Sequence, residues 1–173
     1  MNLQYKDLLP KDFPPESRVW IYQCHRIFTL SEALFIEDHL KQFIYQWQSH
    51  GDPVKGYANL FFGRFIVLMA DESATGVSGC STDGSVRLIK QLETAMNVQL
   101  FDRQLLAFVV KEKIELMPLV QLVHAVKNGL IQPETLYFNN TILTKKELES
   151  GWIIPIKDSW LAKKVQFDTL PMS

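Results

Sequence analysis

The chain has 173 residues, a mass of 20.0 kDa, and 18 basic against 19 acidic side chains, for a net charge of −1. Its length suits one domain with a real core, and 47% hydrophobic with 21% charged residues excludes a disordered composition. Balanced charge and a pI near 6.4 argue against nucleic acid as the main partner, and two cysteines exclude a disulfide framework. The longest apolar runs, 65–70 and 105–110, are too short for membrane insertion, and residues 1–18 lack the pattern of a signal peptide. The expected setting is therefore the cytoplasm.

Residues 1–17 carry Pro10, Pro14 and Pro15 and read as an extended arm. Residues 18–24 (RVWIYQC) have the β-branched and aromatic content of a strand. A helix follows: Thr29 and Glu32 form a capping box, and Ala33, Ile36, Leu40, Phe43, Ile44 and Trp47 recur at helical spacing, with Gly51 as the expected C-terminal cap. Strands are predicted at 58–62 and 65–70 around a Gly63-Arg64 turn. FIVLMA, apolar at every position, requires both faces covered. Residues 71–85 read as a long loop and a second helix as starting near Gly84, striped by Leu88, Ile89, Leu92 and Met96. A hairpin is expected from 105–111 and 114–117, turning at Glu112-Lys113.

From residue 118 the pattern changes to a helix stopped at Asn128-Gly129, a strand at 136–138, a short helix capped by Thr144 and Glu147, and a last turn capped by Asp158 or Ser159. Strands grouped in hairpins indicate an α+β single domain with a largely antiparallel sheet, organised as an arm (1–17), a core (18–117) and a C-terminal subregion (118–173).

Long loops are often functional, so 71–85 is the leading candidate site. Its charges are all acidic, with no Lys or Arg between Arg64 and Arg87. An apolar strand ending in Asp71-Glu72 is similar to a Walker B segment. RVWIYQ, the WxxHG of 47–51, the DES…SGCS loop, LFDR and the FNN of 138–140 together resemble a family of small bacterial proteins carried under the label ABC-transporter ATPase. That resemblance implies nucleotide binding. The residues do not supply a P-loop, because Ser85-Val86 stands where Lys and Ser/Thr are needed to hold phosphates. Intact ATPase activity is accordingly not expected.

Two further chemistries fit the loop. Cys80 is a candidate nucleophile for a small hydrolase or transferase, with His50 as base and Asp71 as orienting acid. The surrounding acids oppose thiolate formation. Alternatively Asp71, Glu72 and Asp83, aided by Ser78 and Ser81, offer oxygen ligands to Mg²⁺ or to a nucleotide. No pair of the four histidines has metal-site spacing, so no metal site is assigned to them.

Residues 117–138 place Pro118, Leu122, Val126, Gly129, Ile131, Pro133, Thr135, Leu136 and Phe138 in a rhythm similar to that of the GYF-type adaptor module, although the GYF tripeptide itself is absent. The resemblance implies a peptide partner held in an aromatic groove of Tyr137, Phe138, Trp152 and Trp160. The leading expectation is a non-catalytic binding or protein-interaction module, with the Cys80 enzyme as alternative and a cation or nucleotide site at Asp71-Glu72 third.

Overall fold

A computed structural model describes residues 1–74 and 79–167, with side chains described from 82 in the second span. In chain order the elements are β1 (Arg18–Gln23), α1 (Leu30–Gln46), β2 (Gln48–Ser49), β3 (Asp52–Pro53), β4 (Lys55–Phe61), β5 (Phe65–Asp71), α2 (Gly79–Met96), β6 (Leu105–Val110), β7 (Lys113–Pro118), α3 (Leu122–Lys127), β8 (Leu136–Phe138), α4 (Lys145–Gly151) and β9 (Ile153–Pro155). The fold is α+β, and every strand pair among the described residues is antiparallel.

The larger of two compact units holds Gln4–Asp102 with Asn140–Ser150. Its sheet has the order β1-β5-β4, so β5 is central. Ile66 and Leu68 of β5 pack with Tyr22, Ile36, Leu40, Leu88, Ile89 and Leu92 beneath α1 and α2. Alternation turns Phe65, Val67 and Met69 to the opposite face. Helices thus cover one face, and Phe65, Val67 and Met69 on the other are fully buried as well, as the sequence required. Around the sheet lies the N-terminal arm, which is anchored rather than merely extended. Tyr5, Leu9 and Phe13 are buried, the Tyr5 and Phe61 rings meet edge to face at 6.4 Å, and Tyr57 Oη donates to the Leu8 carbonyl at 2.8 Å. Residues 140–150 return to β1: the amide of Val19 donates to the Leu143 carbonyl, and buried Lys145 Nζ donates to the Phe13 carbonyl at 2.8 Å.

The smaller unit holds Met1–Leu3, Arg103–Asn139 and the chain from Gly151 onward, with a sheet ordered β7-β6-β8-β9. Leu106, Phe108, Leu122, Ile131, Tyr137 and Leu161 form its core. Ser159 caps the last helical turn, its Oγ accepting from the Leu161 amide at 3.2 Å. The β6–β7 hairpin, read from sequence as part of the 18–117 core, pairs through Phe108 and Tyr137 with β8 of this unit.

Local signals place some boundaries differently from the sequence reading. The Thr29–Glu32 capping box forms in both directions, and Arg26 grips the Glu32 carboxylate at 2.7 and 2.8 Å. Gly51 does not cap α1. The helix ends at Gln46, and His50-Gly51, with φ of 53° and 85°, turns the β2–β3 hairpin. Left-handed backbone at Phe62-Gly63 and Lys111-Glu112 puts two further turns one residue earlier than expected. The largest correction is at α2, which begins at Gly79 rather than near Gly84. Gly84 lies inside the helix, where a Cβ would stand 3.6 Å from Trp47 Nε1 and 3.8 Å from Phe43. These are ordinary contact distances, and Gly84 is an interior helix residue, not a helix start.

Candidate functional site

With α2 starting at Gly79, the acidic loop is shorter than the sequence reading made it. Ser78 and the side chains of Cys80 and Ser81 lie outside the described residues, and so does the proposed thiol centre built on Cys80. Asp83 is exposed on α2. His50 is exposed at the β2–β3 hairpin tip, placed there by a turn and not by a helix end. Asp71 closes β5, and its Oδ1 accepts from the Ser73 amide at 3.0 Å and the Ser73 hydroxyl at 2.6 Å. Those bonds, with Lys55 Nζ at 3.8 Å, hold its pKa below the ordinary carboxylate value.

Glu72 points the other way. Its side chain is only 7% exposed, Arg18 Nη1 is 3.7 Å away, and no group among the described residues donates a hydrogen bond to either oxygen. Burial raises its pKa and the Arg18 charge offsets that only in part. Arg18 itself lies over the Trp20 ring at 4.9 Å. Adjacent in sequence, Asp71 and Glu72 therefore have opposite electrostatic settings. Among the described residues no group of three or more His, Cys, Asp or Glu is placed to share a metal ion.

The aromatic groove expected in the C-terminal third is not open. Tyr137, Phe138 and Trp152 are buried, Phe138 and Trp152 meeting edge to face at 5.8 Å, and only Trp160 retains intermediate exposure. Burial pushes the Tyr137 hydroxyl up to about 12. Tyr137 and Phe138 are held in β8, opposite Ile154 and Ile153 of β9, and with Trp152 they are core rather than groove. Cys24 is likewise structural: it is free and fully buried, and burial raises its thiol pKa.

Concave surface is found instead on the two flanks of α1. One flank faces the sheet edge. A groove of about 580 Å³ runs between α1 (Glu37, Leu40, Lys41, Ile44 and Tyr45) and β4 (Gly56, Tyr57, Ala58 and Asn59). β4 is a free edge of its sheet. The Leu60 amide donates to the Asn59 carboxamide oxygen at 2.8 Å, so this amide faces outward. By antiparallel alternation the N–H and C=O groups of Gly56 and Ala58 face outward too. Gly56 is obligatory here, since a Cβ would lie 2.6 Å from the Trp47 ring and 2.9 Å from Ile44.

The other flank of α1 faces α2. Here a groove of about 450 Å³ is lined by His39, Gln42, Gln46, Gln48, Arg87 and Gln91 over Phe43, Trp47, Leu88 and Gly84. Phe43 and Trp47 meet at a tilt, centroids 4.7 Å apart, beneath it, and Trp20 packs on Trp47 at 5.8 Å. His39 Nδ1 lies 2.8 Å from the Phe35 carbonyl, which can only accept, so that nitrogen carries the proton. Sequence reasoning missed these residues. Glutamines on a helix read as solvated surface, and only the i, i+4 spacing of Gln42 with Gln46 and Arg87 with Gln91 hints at shared faces.

Comparison with protein-family models, curated proteins and solved structures finds no match to this chain. Among the described residues no helix is long and apolar enough to cross a membrane.

Proposed function

We propose that the protein is a non-catalytic interaction module of the cytoplasm that adds an extended segment of a partner protein to the edge of β4, beside α1. The observation that carries this reading is the outward-facing backbone of Gly56 and Ala58 along an open groove. Unpaired strand edges are templates for another strand, and proteins that avoid pairing blunt them. Here one amide, that of Leu60, is blunted by Asn59, while among the described residues the two outward amides before it are not. An added strand gains affinity from main-chain hydrogen bonds and specificity from alternate side chains. Those facing α1 would meet Leu40, Ile44 and Tyr45, which calls for apolar residues at every second position. A second copy of β4 presents Gly56, Ala58 and Leu60 on that face, of which only Leu60 is large.

Fluorescence polarisation against a library of extended heptapeptides tests the reading. Peptides alternating apolar and polar residues should bind the intact chain. Ala58→Pro removes an outward N–H at an edge position that tolerates proline and should abolish binding with the fold retained by circular dichroism. Asn59→Ala frees the Leu60 amide and should tighten it. Equal binding by the Ala58→Pro chain overturns the assignment.

A further inference from the structure

We propose that the α1–α2 groove is a separate site for a small polyhydroxylated anion, a sugar ring bearing a carboxylate or phosphate. The four carboxamides of its lining, Gln42, Gln46, Gln48 and Gln91, make no hydrogen bond within the protein among the described residues, and Arg87 makes no ion pair. Five polar groups, uncommitted among the described residues, thus line one concavity of about 450 Å³, a volume in the range of small-molecule sites. Among the described residues no carboxylate lines it, so the groove favours a neutral or negative ligand.

The chemistry of the lining narrows the class. A carboxamide presents a donor and an acceptor side by side, which suits neighbouring hydroxyls. A guanidinium presents paired donors, which suit the oxygens of a carboxylate or phosphate. Phe43 and Leu88 add an apolar strip for the C–H face of a ring, and Gly84 leaves the floor open by having no side chain. With His39 Nδ1 turned to the Phe35 carbonyl, its Nε2 is left to bond one more hydroxyl. A single arginine is too little for a polyanion.

Titration calorimetry of the full chain with glucuronate, glucose 6-phosphate, glucose and inorganic phosphate tests this. At least one of the two sugar anions should bind in the millimolar range or better, and which one binds identifies the anionic group. Glucose and inorganic phosphate should each bind about tenfold more weakly, the scale of one charge-assisted hydrogen bond lost. Arg87→Gln should weaken the sugar anion to the level of glucose without changing the thermal midpoint, and Gln42→Ala with Gln91→Ala should weaken glucose as well. Absence of binding by both sugar anions overturns the proposal, as does inorganic phosphate binding equally well or an Arg87→Gln chain that binds like the parent. Peptide capture at β4 is read on separate residues, so either site can fail alone.

Discussion

The Glu72 carboxylate has a charged neighbour in Arg18 at 3.7 Å but receives no hydrogen bond among the described residues, and burial raises its pKa. A carboxyl whose native pKa is raised contributes stability below its unfolded pKa and loses it as pH climbs through the native value. Charged Glu72 therefore weakens the fold at neutral pH. Glu72→Gln removes the buried charge while keeping the shape and should raise stability at pH 7. The gain should vanish in acid, where both side chains are neutral; a gain that persists there refutes the electrostatic cause. Urea unfolding at pH 7 and pH 4 measures both. Glu32 shows the reverse. Hydrogen bonds from Arg26 and the Thr29 amide bring its pKa down to about 2, so its contribution is present above the ordinary glutamate range and lost as pH falls toward 2. Thr29→Ala, which removes the other arm of the box, should cost about 1 kcal/mol.

Two glycines show how alike residues do opposite work in elements. In β4, Gly56 meets the Trp47 ring, and Gly56→Ala should cost about 1–3 kcal/mol through forced displacement. In α2, Gly84 has room for a methyl group at ordinary contact distance. Gly84→Ala should stabilise the chain by about 0.5–1 kcal/mol by reducing unfolded-state freedom, measurable as a higher thermal midpoint. The β6–β7 turn places Lys111 and Glu112 in left-handed backbone, at φ of 48° and 61°, where L side chains are strained. Replacing the pair with Asn-Gly should add about 1 kcal/mol. The same contrast explains what could be read from the sequence. α1 was legible because its capping box is local and its apolar stripe regular, and β5 because an unbroken apolar run has few alternatives. The start of α2 was not, because Gly79 and Gly84 weigh against helix in isolation. The two grooves were illegible for the same cause: Gln42 and Arg87, or Ile44 and Gly56, meet only through the fold.

Across the molecule, the chain leaves the larger unit after Asp102, re-enters at Asn140 and leaves again after Ser150. The change of character at residue 118 was visible in the sequence, yet composition cannot show that 140–150 returns to edge β1 or that Phe108 pairs with Tyr137. A fragment ending at Met117 keeps β6 and most of β7 but loses β8, and it removes Leu143 and Lys145 from Val19 and Phe13. It should lack the cooperative unfolding transition of the whole chain, and adding residues 118–173 as a separate polypeptide should restore it. A cooperative transition in the fragment alone shows that the returning segment is dispensable.

Interleaving also sets an order of events during synthesis. Because the last hydrogen bonds to β1 come from residues 143–145, the larger unit stays incomplete on the ribosome until those residues clear the exit tunnel, long after β1, α1 and β5 have emerged. Its β1 edge waits uncovered through that interval, the condition under which nascent chains pair wrongly. Translation speed between α2 and α4, and chaperone occupancy over that stretch, should therefore govern the yield of native protein more than the stability of the finished fold does.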